Sequence, residues 1–139
     1  MKSLHLLIKI QKKNLENFIT KRKLLENNKE EKTLEIFNRK TELQNELLKH
    51  ATSEYAVYLD NFKKTTDKIC NKLAIEIINI NAEIEILEEQ IREIFSEIKK
   101  FEIVISNRKK EIIKKENEQE IKMLDECALL IRGIKNHSN

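Results

Sequence analysis

The sequence predicts an all-α protein, a two-helix antiparallel coiled-coil hairpin whose second helix is the longer. Three observations support this fold class. The 139 residues include no proline and one glycine, the two residues that most often interrupt helices. Charged residues make up 37% of the chain and aromatic residues only 5%, which is typical of coiled coils rather than of compact globules. The third observation is a long heptad repeat in the second half.

The heptad repeat forms the predicted core stripe of the second helix. Its positions alternate in steps of three and four residues over six heptads, more than the three or four needed to indicate a coiled coil. Twelve of the thirteen positions are apolar, and the cysteine among them is expected to be a small core residue. The positions are Cys70, Leu73, Ile77, Ile80, Ile84, Leu87, Ile91, Ile94, Ile98, Phe101, Ile105, Arg108 and Ile112.

The first half carries a weaker stripe. It begins with regular spacing and two polar interruptions, at Leu4, Ile8, Gln11, Leu15, Phe18, Arg22 and Leu25. Residues 26–32 are wholly polar. The stripe then resumes less regularly through Leu34, Ile36, Phe37, Leu43, Leu47 and Leu48. We therefore expect the first helix to depend on a partner helix for its stability.

The predicted turn lies at about residues 50–53, between a first helix over 2–49 and a second over 53–132. Thr52 or Ser53 suits a helix N-cap, because a side-chain hydroxyl can accept a hydrogen bond from a free backbone N–H. Gly133 after a basic residue suits a helix C-terminus. The alternative is one continuous helix, since no proline or glycine forces a break at the turn.

Charge favours the hairpin. Residues 1–25 carry seven basic side chains and one acidic, whereas residues 78–102 carry seven acidic and three basic. An antiparallel turn places these stretches side by side, and each opposite-charge pair contributes about 0.3–0.5 kcal/mol. A parallel homodimer would instead bring glutamates at 83 and 97 against glutamates at 88 and 102.

Helix lengths predict an unpaired segment. At 1.5 Å per residue the first helix spans roughly 72 Å and the second roughly 120 Å. The last thirty or so residues of the second helix then have no partner within the chain. They keep an apolar character at Ile105, Ile112, Ile113, Ile121 and Leu124. An unpaired amphipathic helix indicates a site for another protein.

The sequence offers no constellation typical of an enzyme, a cofactor site or a metal site. His5, His50 and His137 lie far apart and lack metal-ligand spacing to cysteine or acidic residues. A single glycine leaves no phosphate-binding loop. The basic clusters are interleaved with acids, so a nucleic-acid partner is not expected. The apolar N-terminal stretch is too short to span a membrane, and membrane association is expected only through partners.

Three segments resemble the FliJ/YscO family, the small coiled-coil proteins of flagellar and type III secretion export machines. The first is Leu43 to Leu47, with its Gln-Asn-Glu centre. The second is the aromatic-led start of the second helix, at Tyr55, Tyr58, Phe62 and Ile69. The third is the stretch 122–128, which reads Lys-Met-Leu-Asp-Glu-Cys-Ala. The flagellar FliJ branch is the nearer resemblance.

The resemblance implies a cytosolic stalk component, peripheral at the inner face of the cell membrane, that performs no chemistry. Its implied partners are the export ATPase ring, the cytosolic domain of the export gate and export chaperones. The implied partner-binding residues are Ile36, Leu43, Leu47, Phe62, Ile69 and Leu73 for the gate, with Lys40 and Thr66 departing from the pattern, and Leu124, Asp125 and Glu126 near the C-terminus.

Other interpretations stay open from the sequence. The apolar gate positions are equally suited to a plain hairpin core, and Leu73 belongs to the heptad repeat itself. The chain as a whole is also compatible with a structural coiled-coil tether or scaffold subunit. A nucleic-acid-associated helical protein is the weakest alternative.

Overall fold

The fold is a helical hairpin with a longer second helix, as predicted. A computed structural model describes residues 2–50 and 53–137, with side chains described over 2–50 and 54–133. Helix α1 spans Lys2–Lys49 and helix α2 spans Ala56–His137, with a short 3-10 turn at Ser53–Tyr55 before α2. The near absence of helix-breaking residues explains why both helices run without interruption.

The turn is longer than the sequence indicated. Beyond the end of α1, the backbone N–H of His50 still donates to the carbonyl oxygen of Glu46, at 3.0 Å. Ser53 opens the 3-10 turn rather than capping an α-helix directly, so α2 begins at Ala56. The other predicted capping residue, Thr52, lies outside the described residues.

The far end of α2 also differs from the prediction. The helix continues through Gly133 to His137, and no described residue has a positive φ. The prediction that α2 ends in a left-handed glycine cap is therefore wrong. One glycine costs a helix only about 1 kcal/mol relative to alanine, which neighbouring good helix formers can outweigh.

The chain divides into two compact units. The hairpin unit is Lys12–Phe95, and the terminal unit combines the start of α1 through Gln11 with α2 from Ser96 onward. In the hairpin unit the buried positions of α2 are Thr66, Cys70, Leu73, Ile80, Ile84 and Leu87. In the terminal unit Ile8 of α1 is buried together with Ile98 and Ile105 of α2.

One polar contact in each unit defines the antiparallel register. In the hairpin unit Lys32 Nζ lies 2.7 Å from Glu76 Oε2. In the terminal unit Gln11 Nε2 donates to Glu97 Oε2 at 2.8 Å. The two residue numbers add up to 108 in both pairs, so the same register describes the helix pairing within each unit.

The inner face of α1 follows a stricter heptad than the sequence suggested. Its shielded positions after residue 25 are Lys29, Lys32, Ile36, Arg39, Leu43, Glu46 and His50. By contrast Leu34, Phe37, Leu47 and Leu48 are exposed. Assigning those four to the core stripe was wrong, because polar residues with long aliphatic stems occupy the inner positions instead.

Candidate protein-binding surfaces

The main candidate surface is the end of α2. The register of the terminal unit places Lys2, the first residue of α1, opposite residue 106. Every side chain from 106 to 132 is exposed. We call residues 107–133 the tail. The tail is an α-helix with no α1 residue opposite it, and 27 residues span roughly 40 Å at 1.5 Å each.

The tail exposes many large apolar side chains. Leu124 is 69% exposed and Ile121 is 60% exposed. The other large apolar residues with more than a third of their surface exposed are Ile112, Ile113, Met123, Leu129, Leu130 and Ile131. So many exposed large apolar side chains on one helix are typical of a protein interaction site. The run at 129–131 was missed from the sequence because it lies beyond the heptad pattern, although three consecutive apolar residues near a helix end were visible.

A shallow depression lies on one face of the tail. It is lined by Glu120, Met123, Leu124 and Cys127. Cys127 is exposed and carries a free thiol. Apolar side chains with one carboxylate beside them can bind an apolar side chain of a partner protein that carries a cation nearby.

Two of the three partner-binding residues predicted near the C-terminus do not line this depression. Asp125 and Glu126 are both exposed, but neither lines the depression. At 100° per residue, Asp125 and Glu126 point more than about 100° away from the centre of the depression that Leu124 lines. Of the three, the structure places only Leu124 at the depression.

The six predicted gate-contact residues are mostly shielded. Leu73 is buried, and Ile36, Leu43, Phe62 and Ile69 are half-buried along the inner faces of the two helices. Only Leu47 is exposed. The two positions that depart from the family pattern differ in burial, since Thr66 is buried and Lys40 is exposed. The shielded residues therefore contribute to the hairpin core.

A second exposed surface lies at the turn of the hairpin unit. Leu48, Val57 and Tyr58 are exposed there, and we call these three residues with Leu47 the turn surface, which covers more than one side of the hairpin end because Leu48 faces away from α2 and Val57 faces away from α1. The Tyr58 ring stacks on Phe62, with ring centroids 6.1 Å apart. Sequence reasoning missed Leu48 and Val57 as surface residues because their spacing alone did not show which face of each helix points inward.

Two side-chain contacts of His50 lie next to the turn surface. The His50 ring lies against the Tyr55 ring with a centroid distance of 4.8 Å. His50 Nε2 is 3.2 Å from Glu46 Oε2, a contact that becomes an ion pair when the histidine is protonated. Through its contacts with Glu46 and Tyr55, His50 links the last turn of α1 to the 3-10 turn.

Two ion pairs outside these surfaces shift the pKa of one of their members. The hydrogen bond from Lys32 holds the pKa of Glu76 below its usual value. A hydrogen bond from Arg92 to Glu89, at 2.7 Å, raises the pKa of the arginine. The Lys32–Glu76 pair is part-buried between the two helices, whereas the Arg92–Glu89 pair is exposed on α2, and both shifts are explained by ion pairing.

Within residues 2–50 and 53–137, no group of three His, Cys, Asp or Glu side chains is placed to hold a metal ion. Neither helix contains, over the same residues, a stretch long and apolar enough to cross a membrane. No protein-family model, curated protein or solved structure matches the chain.

Proposed function

We propose that the protein is a non-catalytic stalk component of a flagellar or type III protein-export apparatus. In this role it binds the export ATPase ring and the cytosolic domain of the export gate, and it handles export chaperones. The observation that carries the proposal is the tail, an α-helix with exposed apolar side chains and no α1 residue opposite. The hairpin with a longer second helix is also the fold that the resemblance to the FliJ/YscO family implies.

The tail is the proposed ATPase-binding surface. Residues 116–126 carry five acidic side chains and one basic one. A helix or groove of the partner that presents an apolar side chain and a cation would fill the depression beside Met123 and pair with Glu120. Rim charges of this kind chiefly speed association and select the partner.

The turn surface is the proposed gate-binding surface. Most residues that the family resemblance implies for gate binding are shielded in the hairpin core. By contrast, the side chains of Leu47, Leu48, Val57 and Tyr58 are exposed and can contact a partner. Aromatic and large aliphatic side chains are the usual anchors of protein interfaces. Two separate surfaces allow one chain to bind two partners at once.

The proposal locates the protein in the cytoplasm, peripheral at the inner face of the cell membrane and held there through its partners. It assigns the chain no cofactor, and any coupling between ATPase and gate would come from binding both.

The test is a binding assay with purified export ATPase and the cytosolic domain of the export gate. We expect both to bind the wild-type chain. Met123→Asp should weaken ATPase binding at least tenfold, because truncating an apolar anchor typically costs more than about 1.4 kcal/mol. Val57→Asp should weaken gate binding in the same way and leave ATPase binding unchanged.

Gln119→Asp is the matched control for the tail variant. It adds the same charge to the same helix at an exposed polar position outside the depression. Binding of neither partner by the wild-type chain would contradict the export role and leave the tether or scaffold subunit as the better candidate. Equal loss with Gln119→Asp and Met123→Asp would show that charge, not the depression, governs ATPase binding.

A further inference from the structure

A second apolar stripe runs along α2 within the terminal unit. Its nine positions are separated by three or four residues and lie within a sector of about 80° at 100° per residue. They are Ile103, Ser106, Lys110, Ile113, Asn117, Ile121, Leu124, Ala128 and Ile131. All nine are exposed, and the five large apolar members are 56–69% exposed. We call this set the symmetric stripe.

The spacing of the stripe is the same in both directions from its centre. From Asn117 toward either end, the steps are four, three, four and three residues. A second copy laid antiparallel, with Asn117 opposite Asn117, therefore places Ile113 opposite Ile121 and Ile103 opposite Ile131. Small residues also face each other, since Ser106 falls opposite Ala128. A twofold interface requires this kind of self-complementary surface.

The charges around the stripe are arranged with the same symmetry. Residues 108–115 carry five basic side chains and one acidic, for a net charge of +4, whereas residues 116–126 carry five acidic and one basic, for a net charge of −4. An antiparallel partner centred on Asn117 lays the basic half of each helix beside the acidic half of the other. A parallel, in-register partner would instead lay like charges together.

We propose that a second copy of this chain covers the symmetric stripe, so that two α2 helices form an antiparallel homodimer centred on Asn117. The stripe consists of two runs of two heptads that meet at Asn117, where two steps of four residues follow each other. The pairing of Asn117 with its own mate favours this register, because sliding the helices by one step of the stripe would place each asparagine opposite Ile113 or Ile121.

Lys110 faces Leu124 in this arrangement and lies near Asp125 of the other copy. One edge of the stripe opposes the pairing, since Glu116 and Glu120 approach their own symmetry mates there. The dimer is therefore a reversible one. The dimer rests on the stripe and its charges rather than on the proposed export role, although Leu124 belongs to both the stripe and the depression.

Sedimentation equilibrium of the full chain over a wide concentration range tests the dimer. We expect a concentration-dependent monomer–dimer equilibrium. Ile121→Asp should lower the association constant roughly tenfold or more, because it replaces the apolar contact between Ile121 and Ile113 with a charge twice in each dimer. Gln119→Asp adds the same charge two residues away on the opposite face of the helix and should leave the association constant unchanged. Glu120→Gln should raise it about two- to fivefold by relieving like-charge repulsion.

Cysteine cross-linking tests the orientation, in a Cys127→Ser background. A mixture of Ile113→Cys and Ile121→Cys chains should form the mixed disulfide under mild oxidation. Ile113→Cys alone should not cross-link, because its two copies lie roughly 12 Å apart along an antiparallel pair. A chain that stays monomeric at every concentration, a dimer that tolerates Ile121→Asp, or ready self-linking of Ile113→Cys would each overturn the proposal.

Discussion

Two stretches of α2 differ in what surrounds them rather than in what they are made of. Ile80, Ile84 and Leu87 lie in the hairpin unit and are less than a tenth exposed, whereas Ile112, Ile113 and Ile121 in the tail are 49–60% exposed. Both stretches belong to one uninterrupted helix. The difference lies in α1, which supplies an opposite face for the first stretch and none for the second. Whether an isoleucine stabilises this fold is therefore decided by a second helix, not by its own.

The tail remains helical for a different reason from the paired stretch. An isolated helix is marginal in water because its first turn is costly to form. The tail extends a helix that is already nucleated, and it contains good helix formers such as lysine, glutamate and leucine. Its apolar residues are free to serve binding.

The largest expected effect is that of a charge placed on the inner face. Leu87 is 4% exposed, and Leu87→Asp should lower the free energy of unfolding by about 3–5 kcal/mol, because it removes a buried apolar side chain and puts a charged group in its place. Thermal melting followed by circular dichroism measures the loss. Its neighbour Ile86 is exposed, so Ile86→Asp is the matched control and should change stability by about 0.5 kcal/mol or less. Equal losses in the two variants would refute the assignment of the inner face.

The next effect compares one substitution in the two stretches. Ile80→Ala should cost about 2–4 kcal/mol, since it removes buried methylene groups and leaves a gap between the helices. Ile113→Ala should cost about 0.5 kcal/mol or less, because the side chain is already in water in the monomer. Urea denaturation at low protein concentration measures both. Similar costs would mean that the tail is packed against α1 or against another copy.

A smaller effect is confined to the tail. No atom lies within 4 Å of a Cβ built on Gly133, and the residue is helical. Gly133→Ala should therefore stabilise the end of α2 by about 1 kcal/mol. Hydrogen exchange should slow after residue 125, while exchange in the hairpin unit and the thermal midpoint stay unchanged. A higher global midpoint would show that the tail and the hairpin unfold together.

The smallest effect concerns the ion pair in the hairpin unit. Because Lys32 lowers the pKa of Glu76 in the folded chain, the pair stabilises the fold above the carboxyl's unfolded-state pKa, and the contribution is lost as pH falls through the lower, folded-state value. Glu76→Gln should thus lower the thermal midpoint slightly at neutral pH and have no effect in strong acid. The pair is partly solvated, which keeps the difference small. A difference that grows on acidification would contradict the assignment.

Much of the fold was readable from periodicity. The inner face of α2 from Cys70 to Ile105 follows the predicted heptad, because a regular row of isoleucine and leucine has only one way to be shielded on a helix. Arg108 and Ile112 continue the same spacing yet are exposed. Periodicity shows which residues share a face, but it cannot show where the opposite helix begins.

The candidate surfaces were less accessible to sequence reasoning. An unpaired end of α2 followed from unequal helix lengths, but the turn surface did not follow from any pattern. Leu48 and Val57 look like core residues by composition, and they become surface residues only once Lys32 and Glu76 define the register. The opposite change of interpretation applies to four residues that were predicted to contact the gate and that the structure shows half-buried on the inner faces, namely Ile36, Leu43, Phe62 and Ile69.

By itself, the sequence determined that this protein is helical, and it favoured a chain that folds back once with a longer second helix, because those properties depend on local propensity, charge and apolar spacing. Only the tertiary structure decided which residues of α1 face inward, since lysine, arginine and glutamate occupy positions where composition predicts aliphatic residues. It also decided that α2 continues through Gly133, because a helix end depends on the balance of neighbouring turns rather than on one residue.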